Sequence, residues 1–253
     1  MSQNQDHEQD AGATSHVMID WSSDRVSLGR HFLRDMEGLW SGALRLAAVV
    51  ESSLHGAIHA LIDGRPDLAA EVERSERTVD SWEVEIERDC LKILTLHQPA
   101  ASDLRRVAAI LRINGDLERT SDMARNIARR VRKLATDPAA FPLPRQMEAL
   151  ALRALQQLHD SLDALVQGDA ARAREVIKAD REIDRQYRLV LQELKGCIRS
   201  DPDRINTWLR LINTARNLER VADHATHITE AVVYLKEGEI IRHHAAEPRP
   251  ERG

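Results

Sequence analysis

A Glu and an Asp four residues apart on a helix share one face, where like charges cost roughly 0.2–0.5 kcal/mol unless a cation sits between them. Four acidic pairs at this spacing stand at matching positions of a repeat: Glu76 with Asp80, Glu118 with Asp122, Asp180 with Asp184, and Glu219 with Asp223. Facing pairs on two helices would gather four carboxylates around a point. All-oxygen ligation of that kind suits magnesium, calcium, manganese or iron better than a structural zinc site built from Cys and His. The competing reading is a solvated acidic face neutralised by neighbours such as Arg77, Arg119 and Arg125.

Two of the pairs lie in one repeated motif. Leu117-Glu118-Arg119-Thr120-Ser121-Asp122-Met123-Ala124 returns as Leu218-Glu219-Arg220-Val221-Ala222-Asp223-His224-Ala225. The preceding helix repeats too: at one fixed offset His55 falls on His159, Gly64 on Gly168, Glu71 on Glu175, Glu76 on Asp180 and Asp80 on Asp184. The register then shortens by three residues before the third helix of each half. A change of register inside a turn is what duplicated helical units tolerate.

The elements that must carry these residues are helices. Hydrophobic residues make up 42% and charged residues 30%, while aromatics are only 3%, which argues against a β-rich protein. Breaks fall at Asp63-Gly64-Arg65-Pro66, Gln98-Pro99, Thr136 to Pro144, Gly168-Asp169 and Asp201-Pro202, dividing the helical pattern into six long segments. The expected fold is all-α, two pseudo-symmetric three-helix bundles. The expected organisation is a disordered tail over 1–28, a first bundle over 29–135, a Pro-rich linker over 136–145, a second bundle over 146–242, and a disordered tail over 243–253.

Within the third helix, Leu104, Val107, Ala108 and Leu111 define a stripe that Glu118 and Asp122 interrupt. A second stripe runs through Ile110, Ile113, Leu117, Ala124, Ile127, Val131 and Leu134 on the opposite side. The sixth helix behaves alike, with Ile205, Trp208, Leu209 and Ile212 giving way to Glu219, Asp223 and His227. Of the histidines, His55 and His159 match across the repeat and suggest packing or capping. His227 continues the acidic line, but its counterpart is Asn126; His224 faces Met123 and has no such case. His243 and His244 lie near a tail and mean little.

Several function classes are disfavoured. A net charge of -5 offers no footprint for nucleic acid, and the run Arg125, Arg129, Arg130, Arg132 and Lys133 reads as a solvated helix end suited to the helix dipole. Cys90 and Cys197 form no motif and read as reduced cytosolic thiols. No apolar run approaches the length of a membrane span and no secretory signal precedes the helices, so the expected location is cytoplasmic, with any membrane role exerted through partners. Phosphate-binding glycine loops, His-Glu-x-x-His and Glu-x-x-His pairs are absent, so catalysis has no scaffold and no catalytic residue is assigned.

The repeated Leu-Glu-Arg-x-x-Asp-x-Ala with Ile three residues on, the turn Gln98-Pro99 followed by Asp103-Leu104-Arg105, and the ending Tyr234-Leu235-Lys236-Glu237-Gly238 through Arg242-His243 together resemble the PhoU family of bacterial phosphate-transport regulators. The start of helix six departs from the pattern, with Asp203-Arg204-Ile205-Asn206 in place of Asp103-Leu104-Arg105-Arg106. The resemblance implies metal-binding acidic motifs, which here are Glu76, Asp80, Glu118, Asp122, Asp180, Asp184, Glu219 and Asp223. The ions implied are divalent or ferric: magnesium, manganese, iron or zinc. It further implies a homodimer and a cytoplasmic adaptor between the ATPase subunit of the phosphate ABC transporter and a sensor histidine kinase. Such a protein is a negative regulator of phosphate uptake and of the phosphate-starvation response. The alternatives are a metal-storing or metal-sensing bundle without a signalling partner, and a metal-dependent phosphatase or oxidase.

Overall fold

In the computed structural model, which describes residues 29–136 and 143–241, the chain forms six long helices and no strand among the described residues. They are α1 (Arg30–Ile62), α2 (Pro66–His97), α3 (Ala101–Leu134), α4 (Arg145–Gln167), α5 (Ala170–Ser200) and α6 (Ile205–Glu237). The expected tails over 1–28 and 243–253, the linker interior 137–142, and His243 and His244 lie outside the described residues.

Four of the five breaks coincide with turns between described helices. Gly168 adopts φ 59° and ends α4, a left-handed geometry that costs glycine nothing. Asp169 then caps α5, its carboxylate accepting hydrogen bonds from the Ala171 and Arg172 amides at 2.9 and 3.0 Å. Gln98 takes φ 45° at the end of α2, a conformation that usually falls to glycine or asparagine. The three-residue difference between the halves has a local structural correlate: Pro202–Arg204 winds into a tight 3₁₀ turn directly ahead of α6.

α1, α2 and α3 pack on one another, as do α4, α5 and α6, giving two three-helix bundles. α3 packs against α6 and α1 against α4, and the buried residues of both bundles form one hydrophobic cluster. The second α3 stripe is entirely buried: Ile110, Ile113, Leu117, Ala124, Ile127, Val131 and Leu134. The first is not continuous. Leu104, Ile205 and Leu209 are exposed, because the opening turns of α3 and α6 carry them where no neighbouring helix covers them. Small residues let the helices approach closely; a Cβ built on Gly56 of α1 would lie 3.0 Å from Val72 of α2.

A long-range contact ties the start of α3 to the end of α6. Gly238 sits at φ 70°, and a Cβ there would lie 2.8 Å from Arg105 Nη1, so the guanidinium lies against the backbone that terminates α6. A cation there complements the negative end of the helix dipole. At the other boundary, His159 Nδ1 of α4 lies 2.7 Å from Glu51 Oε1 of α1. That bond gives His159 a packing role between the halves, while its repeat partner His55 stacks on His59 with ring centroids 4.2 Å apart.

Because the two bundles share one core, Leu117→Ala should cost about 2–5 kcal/mol and shift a single denaturant transition that reports on both halves. Two transitions, only one of them displaced, would mean that the bundles unfold independently.

Candidate functional site

The acidic pairs sit on neighbouring helices, α2 with α3 and α5 with α6, because the repeat places each pair at corresponding positions in its bundle. The two quartets nevertheless differ. In the first, Arg125 of α3 forms ion pairs with both Glu76 and Asp122, and Arg129 Nη2 approaches Glu76 at 3.9 Å. One turn along α2, Glu73 accepts from Arg132 at 3.1 Å. The arginine run read as a solvated helix end is thus mostly a cross-helix row of ion pairs, and Arg130 donates to the Asn126 carbonyl at 3.0 Å. The reason is geometric: each arginine spaced three or four residues along α3 faces an acid on α2.

Asp80, Glu118 and Asp122 remain clustered, joined by Glu83. Burial pushes the Glu118 carboxyl above its ordinary range, and Asp122, Glu83 and Asp80 push it further. Glu83 is raised in turn by burial, Glu87 and Asp80. Glu83 was not anticipated because its repeat counterpart is Tyr187, so the duplication gave no signal for it.

The second quartet is held by neutral donors. Gln157 Nε2 of α4 donates to Asp180 Oδ1 at 2.9 Å and lies 3.2 Å from Thr226 Oγ1, while Thr226 also bonds Asp180. Burial raises Asp180 and the neighbouring Asp184 adds to the rise. Burial likewise raises Glu219, followed by Asp223, Asp184 and Asp180. Asp223 is pushed up by burial and by Asp180. Asp180, Glu219 and Asp223 are partly buried and Asp184 is exposed; an amide and a hydroxyl orient Asp180, and an all-carboxylate set of this kind suits a hard cation. The first quartet fits less well, since Arg125 already neutralises two of its members.

A third group lies at the seam between the bundles. Asp116 Oδ1 of α3 is 3.0 Å from His224 Nδ1 and 3.3 Å from His227 Nδ1 of α6. Burial pushes the Asp116 carboxyl up, but the hydrogen bonds from His224 and His227 outweigh it and leave the group below its ordinary value. Asp116 in turn raises His227. Asp116, Asp180, Asp223, Thr226, His227 and Glu230 line a cavity of about 600 Å³ that connects this group to the second quartet. The repeat makes no case for His224, whose counterpart is Met123, and does not point to Asp116. The available signal was the His224-x-x-His227 spacing, which puts both rings on one side of α6.

The chain matches the family model described as the PhoU domain twice, over residues 43–131 and 147–232. It is 34% identical over 226 residues to the phosphate-specific transport system accessory protein PhoU homolog of Pseudomonas aeruginosa, covering 89% of this chain and 93% of that protein. The homolog of the same name from Aquifex aeolicus is 34% identical over 210 residues, covering 83% of this chain and 95% of that one. Among solved structures, that of PhoU from Pseudomonas aeruginosa superposes with a TM-score of 0.80 at 34% identity, spanning 82% of this chain and 100% of the other. The phosphate transport system regulatory protein PhoU from Streptococcus pneumoniae superposes at 0.75 and 28% identity, with 83% and 98% covered.

Asp180, Glu219 and Asp223 titrate higher in the folded chain than in the unfolded one. Their contribution to stability is therefore present when they are protonated and is lost as pH rises through the raised folded values. Protein freed of metal by a chelator should lose stability through this cluster as pH rises from about 4, the ordinary carboxylate value, through the raised folded values. Asp223→Asn should flatten that profile and raise Tm near neutrality by about 2–4 °C, the displacement that 1 kcal/mol produces in a domain of this size. An unchanged Tm and profile would mean that the four carboxylates do not strain one another. For the first quartet, Arg125→Gln should raise affinity for manganese measured by titration, because it releases Glu76 and Asp122; unchanged affinity would count against a suppressed site.

Proposed function

Since the chain belongs to the PhoU family, we propose that it acts as a negative regulator of phosphate uptake and of the phosphate-starvation response. The observation that carries this reading is the double PhoU match with the acidic motif present in both copies. Its relatives are named as accessory proteins of a phosphate-specific transport system. The chain serves as a cytoplasmic adaptor: it binds the ATPase subunit of the phosphate ABC transporter and a sensor histidine kinase, working as a homodimer and catalysing nothing itself. No helix among the described residues is long and apolar enough to cross a membrane, so contact with the transporter falls to its outward faces.

Asp180, Asp184, Glu219 and Asp223 would hold a divalent or ferric ion, with Asp80, Glu118 and Asp122 as a weaker set. Such an ion would neutralise the carboxylates and draw α5 and α6 together. The chain's own part is to present different surfaces to different transporter states, with leverage equal to its difference in affinity for them. Gln157 and Thr226 contribute by fixing the Asp180 carboxylate, so that occupancy at α5 is felt by α4 and α6.

Three measurements test the proposal. Deleting the gene should raise phosphate-starvation gene expression in abundant phosphate, and tagged protein should recover the transporter ATPase subunit or the kinase from cells. Replacing Asp184 by Asn together with Glu219 by Gln should weaken manganese binding by more than the roughly 10–100-fold typical of lost outer-shell partners. Unaltered expression with no partner recovered would favour a metal-storing bundle instead.

A further inference from the structure

We propose that Asp116, His224 and His227 form a separate site for one borderline divalent transition ion, zinc being the reference case, at the seam between the two bundles. It differs from the carboxylate quartets in donor chemistry, in position and in having no repeat counterpart. One candidate ligand atom from each of the three residues lies within 4.8 Å of the other two. The Asp116 Oδ1 contacts, 3.0 Å to His224 Nδ1 and 3.3 Å to His227 Nδ1, are already close to ligand spacing. Bonds of about 2.0–2.1 Å in a tetrahedron place neighbouring ligand atoms roughly 3.3 Å apart. A small rotation of the rings therefore suffices to seat an ion.

Two imidazoles and one carboxylate favour zinc and its transition-metal neighbours over magnesium or calcium. The setting has the features of a built site with access. His224 is 6% exposed and Asp116 is held between the two rings, whereas His227 is half exposed. The cavity of about 600 Å³ opens beside them, and Asp223 and Asp180 on its wall add negative charge without belonging to the triad. Three protein ligands would leave a fourth position for water. The ligands come from α3 and α6, one helix of each bundle, so occupancy would clamp the seam through which the two bundles meet.

The test uses the intact chain, stripped of metal by a chelator and then held in millimolar magnesium to occupy the carboxylate quartets. Titration with zinc against a chromophoric chelator should show one equivalent that magnesium does not displace. Cobalt in place of zinc should give the visible absorption of a four- or five-coordinate centre with nitrogen ligands. His227→Asn, at a half-exposed position that leaves the core intact, should weaken the zinc equivalent at least 10-fold and reduce the cobalt bands, while Glu219→Gln should leave both in place. Absence of a magnesium-resistant equivalent, or one indifferent to His227→Asn, would overturn the assignment. Either result leaves the phosphate-regulation reading standing, because that reading is judged by gene expression and partner recovery.

Discussion

The structure depends on two helices that have to bury more than one side. α3 packs against α1, α2 and α6, and α6 against α3, α4 and α5, so each is the inner helix of its own bundle and a wall of the other. Apolar residues therefore occupy most of their circumference, and polar groups are confined to what remains. Glu118 and Asp122 on α3, and Glu219 and Asp223 on α6, fall there, partly desolvated by the same packing that makes the seam. Burial, rather than charge alone, is the leading reason that Glu118, Glu219 and Asp223 are raised.

From that constraint the two halves diverge. Duplication supplies the same backbone positions, but the neighbours decide what a carboxylate does. Arg125 turns Glu76 and Asp122 into ion-pair partners, and Arg132 does the same for Glu73. On the other side Gln157 and Thr226 hold Asp180 without cancelling its charge. A pseudo-symmetric fold thus carries one acidic cluster that arginine offsets in part and one without an arginine between its carboxylates. Repulsion stored in a half-buried cluster is what a bound cation would relieve.

Much of this was legible in the residues themselves. Helix boundaries followed Gly64, Pro66, Pro99, Gly168 and Pro202, because those residues cannot continue a helix or can adopt a left-handed turn. The placement of Asp180 and Asp184 beside Glu219 and Asp223 on an adjacent helix also followed from spacing. What could not be read were the features that break the repeat. Glu83 lacks an acidic counterpart, and Asp116 meets His224 and His227 across the seam from a helix in the other bundle. A periodicity argument compares positions within a helix or between copies and carries no information on which unlike residues of different copies will touch. The exposure of Leu104, Ile205 and Leu209 was illegible for a related reason: apolar periodicity marks a side of a helix but not where along it the cover ends.

The shared core also has a consequence in time. The apolar side of α3 that rests on α6 is complete once Leu134 has been synthesised, yet α6 is not finished until Glu237. At about 5–20 residues per second a nascent chain would leave that side uncovered for roughly 5–20 s. Arg105 likewise waits for Gly238 before it finds the backbone it lies against. The first bundle can therefore gather its own helices on the ribosome, but its surface is finished only by the last turn to emerge.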